Sequence, residues 1–255
     1  MAEEAWPIPP FARPSTRLQS PGMTWSLLAR DPRSGELGIA IATRFFAVGA
    51  LCPRVEGSVG ALSSQALLNP MLALRGMERL RAGEAPQAIL DTLIAQDAGR
   101  DARQLHILGA DGAIAQHTGA ACVPWCGAMR AENVSVAGNM LAGPRVLADT
   151  LAAFLAAAHL PMALRLLHAM EAGEAAGGDA RGKQSAALMV ASRDPYPDLD
   201  IRTDDHPDPL AELRRLHAVA QERFVAFRGF MAGADHPGVF DRAVIGAAIE
   251  ARAKR

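Results

Sequence analysis

One threonine of this chain occupies a position where removal of the preceding segment would make it the amino-terminal residue. Thr24 follows Met23 and begins an apolar stretch that continues to Arg30. A threonine hydroxyl is a poor nucleophile by itself, because no base within the residue takes its proton. A free α-amine, whose pKa is roughly 7.7 to 8.0, can act as that base directly or through one water. An exposed Thr24 would therefore hold a nucleophile and a base in a single residue.

Two routes would expose this threonine. If translation begins at Met23, the small side chain of Thr24 permits ordinary removal of the initiator methionine. If translation begins at Met1, the bond between residues 23 and 24 must be cut in another way. Residues 1–22 lack the basic start and apolar run of a secretory signal, and prolines interrupt any helix or strand period. We predict a disordered tail or a misassigned start codon, with a removable propeptide as the alternative.

Polar residues at the ends of other predicted strands are candidates for the same site. Asn139 closes an apolar strand, and its amide could donate to a developing oxyanion, although Gly-Asn pairs also occur in ordinary turns. The first predicted hairpin has the arms 23–31 and 37–43, and Arg44 ends its second arm, at the end that lies towards Thr24 in an antiparallel pair. It could hold a substrate carboxylate or lower the pKa of the Thr24 amine, whereas a solvated strand end is the alternative.

A glycine-rich segment near residues 177–185 supplies further candidates for substrate contact, with loop scaffolding as the equally weighted alternative. These polar residues are Asp179, Arg181, Gln184 and Ser185. The segment Gly177–Lys183 also matches the pattern G-x-x-x-x-G-K, but Gln184 stands where a phosphate loop needs a magnesium-binding hydroxyl. The segment also runs into a strand instead of opening a helix. Nucleotide binding is therefore not expected.

An acidic loop offers a competing site for metal-dependent hydrolysis. It contains Asp204, Asp205, His206 and Asp208, whose side chains are common ligands of divalent cations. The favoured interpretation is a loop followed by a helix cap, with Asp208 capping a helix that Pro209 opens. We therefore predict no metal and no cofactor. The remaining histidines have no spacing that distinguishes catalysis from other uses, and they stay unassigned.

Two other classes of nucleophile are not supported. A G-x-S-x-G elbow does not occur anywhere in the chain. Cys52 precedes Pro53 in an apolar stretch, which is typical of a small buried residue and not of an activated thiolate. Three cysteines without a metal-ligand spacing indicate a reduced, cytoplasmic compartment, with a Cys122–Cys126 disulfide as the less favoured alternative.

Composition favours a compact globular protein with small-molecule partners. The chain has 255 residues, 50% of them hydrophobic, and a formal net charge of -1. Because no basic stripe stands out, nucleic acid and anionic membranes are not expected partners. Apolar runs all fall short of the roughly 20 residues that span a bilayer. The expected partners are a small-molecule substrate and copies of the chain itself.

The order of predicted elements differs from strict βαβ alternation. Strands precede two helices, further strands precede two more helices, and a strand pair and carboxy-terminal helices complete the chain. The predicted helices are 70–82, 86–96, 144–158, 161–171, 209–228 and 240–251, and the strands after the first hairpin are 52–56, 58–64, 104–108, 113–116, 133–138, 185–191 and 199–202. This order predicts an α+β fold, a four-layer αββα sandwich of two antiparallel sheets with helices outside. We assign residues 23–229 to one domain and 230–255 to its helical extension.

Four segments of the chain resemble the domain-of-unknown-function-1028 family. They are 24–30, 41–49, 177–187 and 204–209, and the resemblance covers about residues 23–216. That family is regarded as similar to the N-terminal nucleophile (Ntn) hydrolases, αββα proteins that mostly cleave amide bonds. The resemblance implies a hydrolase of a small amide or related C–N bond, with Thr24 as nucleophile and Asn139 as oxyanion donor. A binding or assembly protein without turnover is the alternative, because the chain as written does not expose Thr24.

Overall fold

Two antiparallel sheets form the centre of the molecule. The computed structural model describes residues 24–253, so the predicted tail at residues 1–22 lies outside the described part. The strands are β1 (Thr24–Arg30), β2 (Leu37–Thr43), β3 (Pro53–Glu56), β4 (Gly60–Ala66), β5 (Arg103–Gly109), β6 (Ile114–Thr118), β7 (Gly127–Ala131), β8 (Val134–Asn139), β9 (Ser185–Ala191) and β10 (Leu199–Thr203). A six-stranded sheet has the order β10-β9-β2-β1-β8-β7, and a four-stranded sheet has the order β3-β4-β5-β6. The predicted α+β class with two antiparallel sheets is confirmed.

Residues 24–253 contain eight α-helices, five of which cover the outer faces of the sheets. They are α1 (Val48–Leu51), α2 (Pro70–Arg81), α3 (Pro86–Gln96), α4 (Arg145–Ala156), α5 (Met162–Ala175), α6 (Pro209–Glu222), α7 (Phe224–Arg228) and α8 (Arg242–Ala253). Helices α4, α5 and α6 pack on the larger sheet, whereas α2 and α3 pack on the smaller one. Within residues 24–253, no helix has the length and apolar character needed to cross a bilayer.

The space between the two sheets is apolar at one end and polar at the other. Leu28 and Ile39 from the larger sheet pack against Val55 and Leu108 from the smaller one. Because β1 alternates its side chains between two faces, Leu28 faces the smaller sheet while Leu27 packs under the helices. The same alternation directs Thr24 and Ser26 into the polar end of this space, whereas Trp25 packs with Leu27.

Local sequence rules account for many element boundaries. Asn69 accepts a hydrogen bond from the backbone N–H of Met71 at 3.1 Å, and Pro70 lies in the first turn of α2. Helix α3 spans the predicted residues 86–96. Asp208 accepts from the N–H of Ala211 and caps α6, which confirms the cap interpretation of that residue.

Several predictions about helices and strands were wrong. Helix α5 continues to Ala175 instead of ending before Gly173, and the predicted helix 209–228 is divided at Arg223 into α6 and α7. A Cβ at position 173 would lie 2.2 Å from Oγ1 of Thr150, so this glycine lets α4 and α5 approach closely. The half-exposed edge strand β7 was missed, because its residues do not alternate between apolar and polar.

All three cysteines are free thiols, so the alternative disulfide between Cys122 and Cys126 does not form. Cys52 is buried, and burial raises the pKa of its thiol to about 12. A thiol with such a pKa stays protonated at neutral pH, in agreement with the interpretation of Cys52 as a small buried residue.

Candidate functional site

Thr24 lies at the end of a central strand of the larger sheet, between the ends of two neighbours. On one side Thr24 pairs with Asn139 of β8. On the other side its hydroxyl donates to Oγ1 of Thr43 in β2 at 3.3 Å. Only 4% of Thr24 is exposed. Antiparallel pairing along these strands therefore brings together Thr24 and Asn139, which are 115 residues apart in the sequence.

The side-chain amide of Asn139 has a defined orientation. Its Nδ2 donates to the backbone oxygen of Thr24 at 3.4 Å and to Oε1 of Gln104 at 3.1 Å. Gln104 Nε2 donates to the backbone oxygens of Gly127 and Gly138 at 3.0 and 2.9 Å. Because carbonyl oxygens only accept, Gln104 must present its own oxygen to Asn139. Asn139 must then direct its nitrogen towards Thr24.

Gln65 extends this network from the smaller sheet. Its Nε2 donates to Oε1 of Gln104 at 2.9 Å and to the backbone oxygen of Ala137 at 3.2 Å. Its Oε1 accepts from the hydroxyls of Ser26 at 2.6 Å and Ser63 at 3.0 Å. Both hydrogens and both acceptor positions of the Gln65 amide are therefore occupied.

His106 continues the network further from Thr24. Its Nε2 lies 2.8 Å from Oγ of Ser26, and its Nδ1 lies 2.8 Å from Oγ of Ser135. Because Ser26 donates to Gln65, its oxygen must accept from a protonated Nε2, and Nδ1 must accept from Ser135. Gln116 then donates to Ser135 at 2.9 Å. Burial lowers the pKa of His106 to about 3, so the ring is neutral at physiological pH.

These buried side chains between the two sheets form an intersheet polar layer, which was not predicted as a unit, although its member Asn139 was a predicted site residue. We use that name for Ser26, Ser63, Gln65, Gln104, His106, Gln116, Ser135 and Asn139. The sequence feature of this layer is a polar residue at alternate positions of two strands, with Ser63 and Gln65 in β4 and Gln104 and His106 in β5. Such alternation ordinarily indicates a solvated sheet face, whereas here the polar face is buried against another sheet.

Asp179 ties the glycine-rich loop to the end of β2. Its buried carboxylate accepts from the backbone N–H of Arg44 at 2.6 Å and from that of Arg181 at 2.9 Å. The guanidinium of Arg181 pairs with the same carboxylate at 3.1 Å. In this geometry Asp179 acts as a scaffold for the loop. Because its carboxylate is buried, a ligand that enters from solvent does not reach it. The proposed substrate contact of Asp179 is therefore less favoured than loop scaffolding.

Ser185 holds the turn that follows β2. Its hydroxyl donates to the backbone oxygen of Phe45 at 2.5 Å and accepts from the N–H of Val48 at 3.1 Å. Ser185 is fully buried, so its contacts are also structural. Through them, the first residue of β9 positions residues 45–48, which form part of the wall of a pocket beside Thr24.

Arg44 and Gln184 line a polar pocket of about 510 Å³. Nη1 of Arg44 donates to the backbone oxygen of Arg181 at 2.9 Å, and among residues 24–253 no carboxylate pairs with Arg44. Gln184 donates to Oδ1 of Asp205 at 3.1 Å. Lys183, which also lines this pocket, pairs with Oδ1 of Asp208 at 3.2 Å. The exposed Arg44 guanidinium is therefore available to an anion.

A second pocket, here called the apolar pocket, contains Thr24 itself. Its volume is about 270 Å³. It is lined by Thr24, Phe45, Val48, Leu51, Cys52, Gln65, Ala66, Leu67 and Leu68. Two alanines beside it adopt left-handed backbone conformations, Ala47 at φ 54° and Ala66 at φ 68°, and so does Met140, which follows Asn139, at φ 52°. Such conformations cost non-glycine residues of order 1 kcal/mol each and concentrate at functional sites.

The residues of the acidic loop are each engaged elsewhere. Asp205 accepts from Gln184, Nδ1 of His206 accepts from the backbone N–H of Asp208, and Asp208 caps α6. Asp204 lies 3.6 Å from Nε of Arg202. Within the described residues, no three His, Cys, Asp or Glu side chains are grouped so that they could hold a metal ion.

Comparison with known proteins agrees with the resemblance found in the sequence. Residues 24–213 match the model of a family of unknown function, DUF1028. The chain belongs to this family. It is also similar to the solved crystal structure of protein SPO2555 from Silicibacter pomeroyi, a DUF1028 protein, with 32% identity and a TM-score of 0.79. That similarity covers 86% of this chain and 100% of the other. No curated protein matches this DUF1028 chain.

Proposed function

We propose that this DUF1028 protein hydrolyses a small amide or related C–N bond, with Thr24 as the nucleophile and its freed α-amine as the base. The observation that carries the proposal is the position of Thr24. Its side chain lines a pocket, and from the neighbouring strand the amide nitrogen of Asn139 donates to the backbone oxygen of the same residue. A nucleophile, a donor for the oxyanion and space for a substrate therefore lie together.

The reaction follows from these groups. The neutral α-amine takes the proton of the Thr24 hydroxyl, and Oγ1 forms a bond to the carbonyl carbon of the substrate. Asn139 Nδ2 donates to the oxygen that gains negative charge, using the hydrogen whose 3.4 Å contact with the Thr24 carbonyl is the longer of its two. The C–N bond then breaks, and the protonated amine supplies the proton that the leaving nitrogen needs.

The second half of the reaction regenerates the enzyme. The α-amine, neutral again, removes a proton from a water molecule whose oxygen attacks the ester carbon. The bond from that carbon to Oγ1 breaks, Oγ1 recovers its proton, and a carboxylic acid leaves. The amine is the base for both attacks, so we expect no cofactor to be needed.

The arrangement of layers supports an Ntn-hydrolase-like interpretation of the fold. Helices, a sheet, a second sheet and further helices follow one another, and the intersheet space opens at Thr24. The part of the chain that matches the family also begins at Thr24. In the same proposal, Arg44 holds a substrate carboxylate. Arg44 has an exposed guanidinium and directly follows Thr43, the residue that accepts from the Thr24 hydroxyl.

Intact-mass measurement and an amide assay test the proposal. We expect active protein to begin at Thr24. Thr24→Ala should abolish turnover of amides without loss of the fold, and Thr24→Ser should retain part of the activity. Fully active protein that still carries residues 1–23 would exclude the mechanism, because the required amine would be part of a peptide bond.

The second candidate function is binding or assembly on this fold without turnover. It is favoured by exposed aromatic residues at and beside the apolar pocket. Phe45 and Phe46 are 50% and 62% exposed. Purified protein that keeps residues 1–23, binds small molecules and cleaves none would support this candidate over the hydrolase.

A further inference from the structure

The walls of the apolar pocket offer almost nothing that a polar ligand could bind. Val48, Leu51 and Leu68 contribute aliphatic side chains, and the protonated thiol of Cys52 behaves as a small apolar group. Gln65 also lines the pocket, but its amide is fully used within the intersheet polar layer. Among the described lining residues, Thr24 is therefore the side chain whose polar group remains for the reacting carbonyl.

The size of the pocket limits the group that enters it. A cavity of roughly 150 Å³ lined by aliphatic and aromatic side chains is enough to bind benzene. The apolar pocket, at about 270 Å³, has room for a ring or a branched chain and lies below the usual size for a large ligand. Its rim residues Phe45, Leu51 and Leu67 are between 44% and 50% exposed and would lose contact with water on binding.

The rim is held in place by the two strained alanines and by Ser185. Ala47 lies between Phe45 and Val48, and Ala66 immediately precedes Leu67. The Ser185 hydroxyl contacts both ends of the 45–48 turn around Ala47, because it donates to the backbone oxygen of Phe45 and accepts from the N–H of Val48. The left-handed backbone conformations of Ala47 and Ala66 are energetically unfavourable, and such conformations are concentrated at binding sites. They therefore point to a binding role for this wall.

We infer that the apolar pocket is the subsite for the acyl part of the substrate, which carries a compact apolar group, aromatic or branched aliphatic, on the scissile carbonyl. The inference rests on the proposed role of Thr24 and names the substrate class for that site. A carbonyl carbon that bonds to Oγ1 stays attached to the protein as an ester, and its substituent must lie beside Thr24. The apolar pocket adjoins Thr24, whereas the polar pocket around Arg44 does not include it.

Ligand-observed NMR titration of the purified protein with phenylacetamide and with propanamide tests the inference. Burial of a phenyl group in place of a methyl group should make phenylacetamide bind about 30-fold more tightly. Val48→Phe fills the pocket and should reduce that preference to about threefold or less. The matched control is Leu155→Phe, which changes an exposed leucine of α4 and should keep the wild-type preference.

A rim variant keeps the test valid if Val48→Phe does not fold. Leu67→Asp places a charge on a side chain that is 47% exposed, and Leu155→Asp is its control at a position that is 45% exposed. We expect Leu67→Asp to weaken phenylacetamide binding about tenfold and Leu155→Asp to leave it unchanged. Equal binding of both amides by the wild-type protein, or equal effects of a pocket variant and its control, would overturn the inference.

Failure of this inference can be told apart from failure of the proposed function. Binding of phenylacetamide in a manner that depends on Val48, with no amide cleaved by protein that begins at Thr24, would support the subsite and reject the nucleophile. Cleavage of small amides with no preference for apolar acyl groups would support the nucleophile and reject the subsite.

Discussion

His106 provides a test of whether the intersheet polar layer exists as described. The ring is fully buried between Ser26 and Ser135, and burial lowers its pKa from 6.5 to about 3. In the unfolded chain the ring would titrate near its ordinary pKa. Between pH 6.5 and 3 the unfolded state therefore binds a proton that the folded state does not bind. By linkage, the folded protein loses stability as the pH falls through this window, and the neutral ring has no such cost above it.

The magnitude follows from the two pKa values. With a pKa of 6.5 in the unfolded chain and about 3 in the folded one, His106 should lower the free energy of unfolding by about 2 kcal/mol between pH 7 and pH 5. His106→Gln replaces the ring with a group that does not titrate. Loss of one hydrogen bond should lower its stability at pH 7 by about 1 to 3 kcal/mol, but its pH dependence should lack the histidine contribution.

Urea unfolding at pH 7, 6 and 5 measures the effect. The quantity to compare is the change in free energy of unfolding from pH 7 to pH 5 within each protein, so a constant loss in the variant cancels. We expect this change to be about 2 kcal/mol smaller in His106→Gln than in the wild-type protein. His159→Gln, which alters an exposed histidine, is the control and should retain the wild-type pH dependence. Identical pH dependence in the wild type and His106→Gln would refute the argument that burial keeps this ring neutral.

Two further predictions concern the loop that supports Arg44 and the chemistry at Thr24. Asp179→Asn removes a buried charge that pairs with Arg181 and accepts from two backbone N–H groups. In urea unfolding it should lower the free energy of unfolding by about 3 kcal/mol. The control Asp149→Asn, at an exposed i,i+4 pair with Arg145, should lower it by less than about 1 kcal/mol. Treatment with a chelator should leave amide hydrolysis by the protein that begins at Thr24 unchanged, since the amine supplies the base. The opposite result would be an activity that is lost on chelation, restored by zinc, manganese or magnesium, and retained in Thr24→Ala. That result would assign the chemistry to the Asp204–Asp208 loop.

Local elements could be predicted from the sequence because their determinants lie close together in the chain. The turn at Asp31–Gly35 connects β1 and β2, which pair antiparallel as a hairpin. Asn69 with Pro70, and Asp208 with Pro209, begin helices where their side chains and ring geometry require. The same reasoning placed Arg44 at the end of the hairpin that lies towards Thr24. It failed for β7 and for the end of α5, where an edge strand and a helix contact decide the outcome.

The intersheet polar layer could not be predicted in this way. Ser26 and His106 are 80 residues apart, and Gln65 and Gln104 are 39 apart, so no local spacing relates them. Strands with alternating polar and apolar residues are equally compatible with a solvated face and with a second sheet. Only packing of β4 and β5 against β1 and β8 removes these side chains from water and requires them to bond with one another.

The sequence by itself therefore determined that Thr24 begins a buried strand and that pairs of helices separate groups of strands. The tertiary structure decided what surrounds Thr24: Asn139 with its nitrogen directed by Gln104, an apolar pocket on one side, and Asp179 as a scaffold and not a surface residue. The physical reason is that helix caps and turns depend on hydrogen bonds between near neighbours, whereas burial and the direction of an amide depend on contacts between residues far apart in the chain.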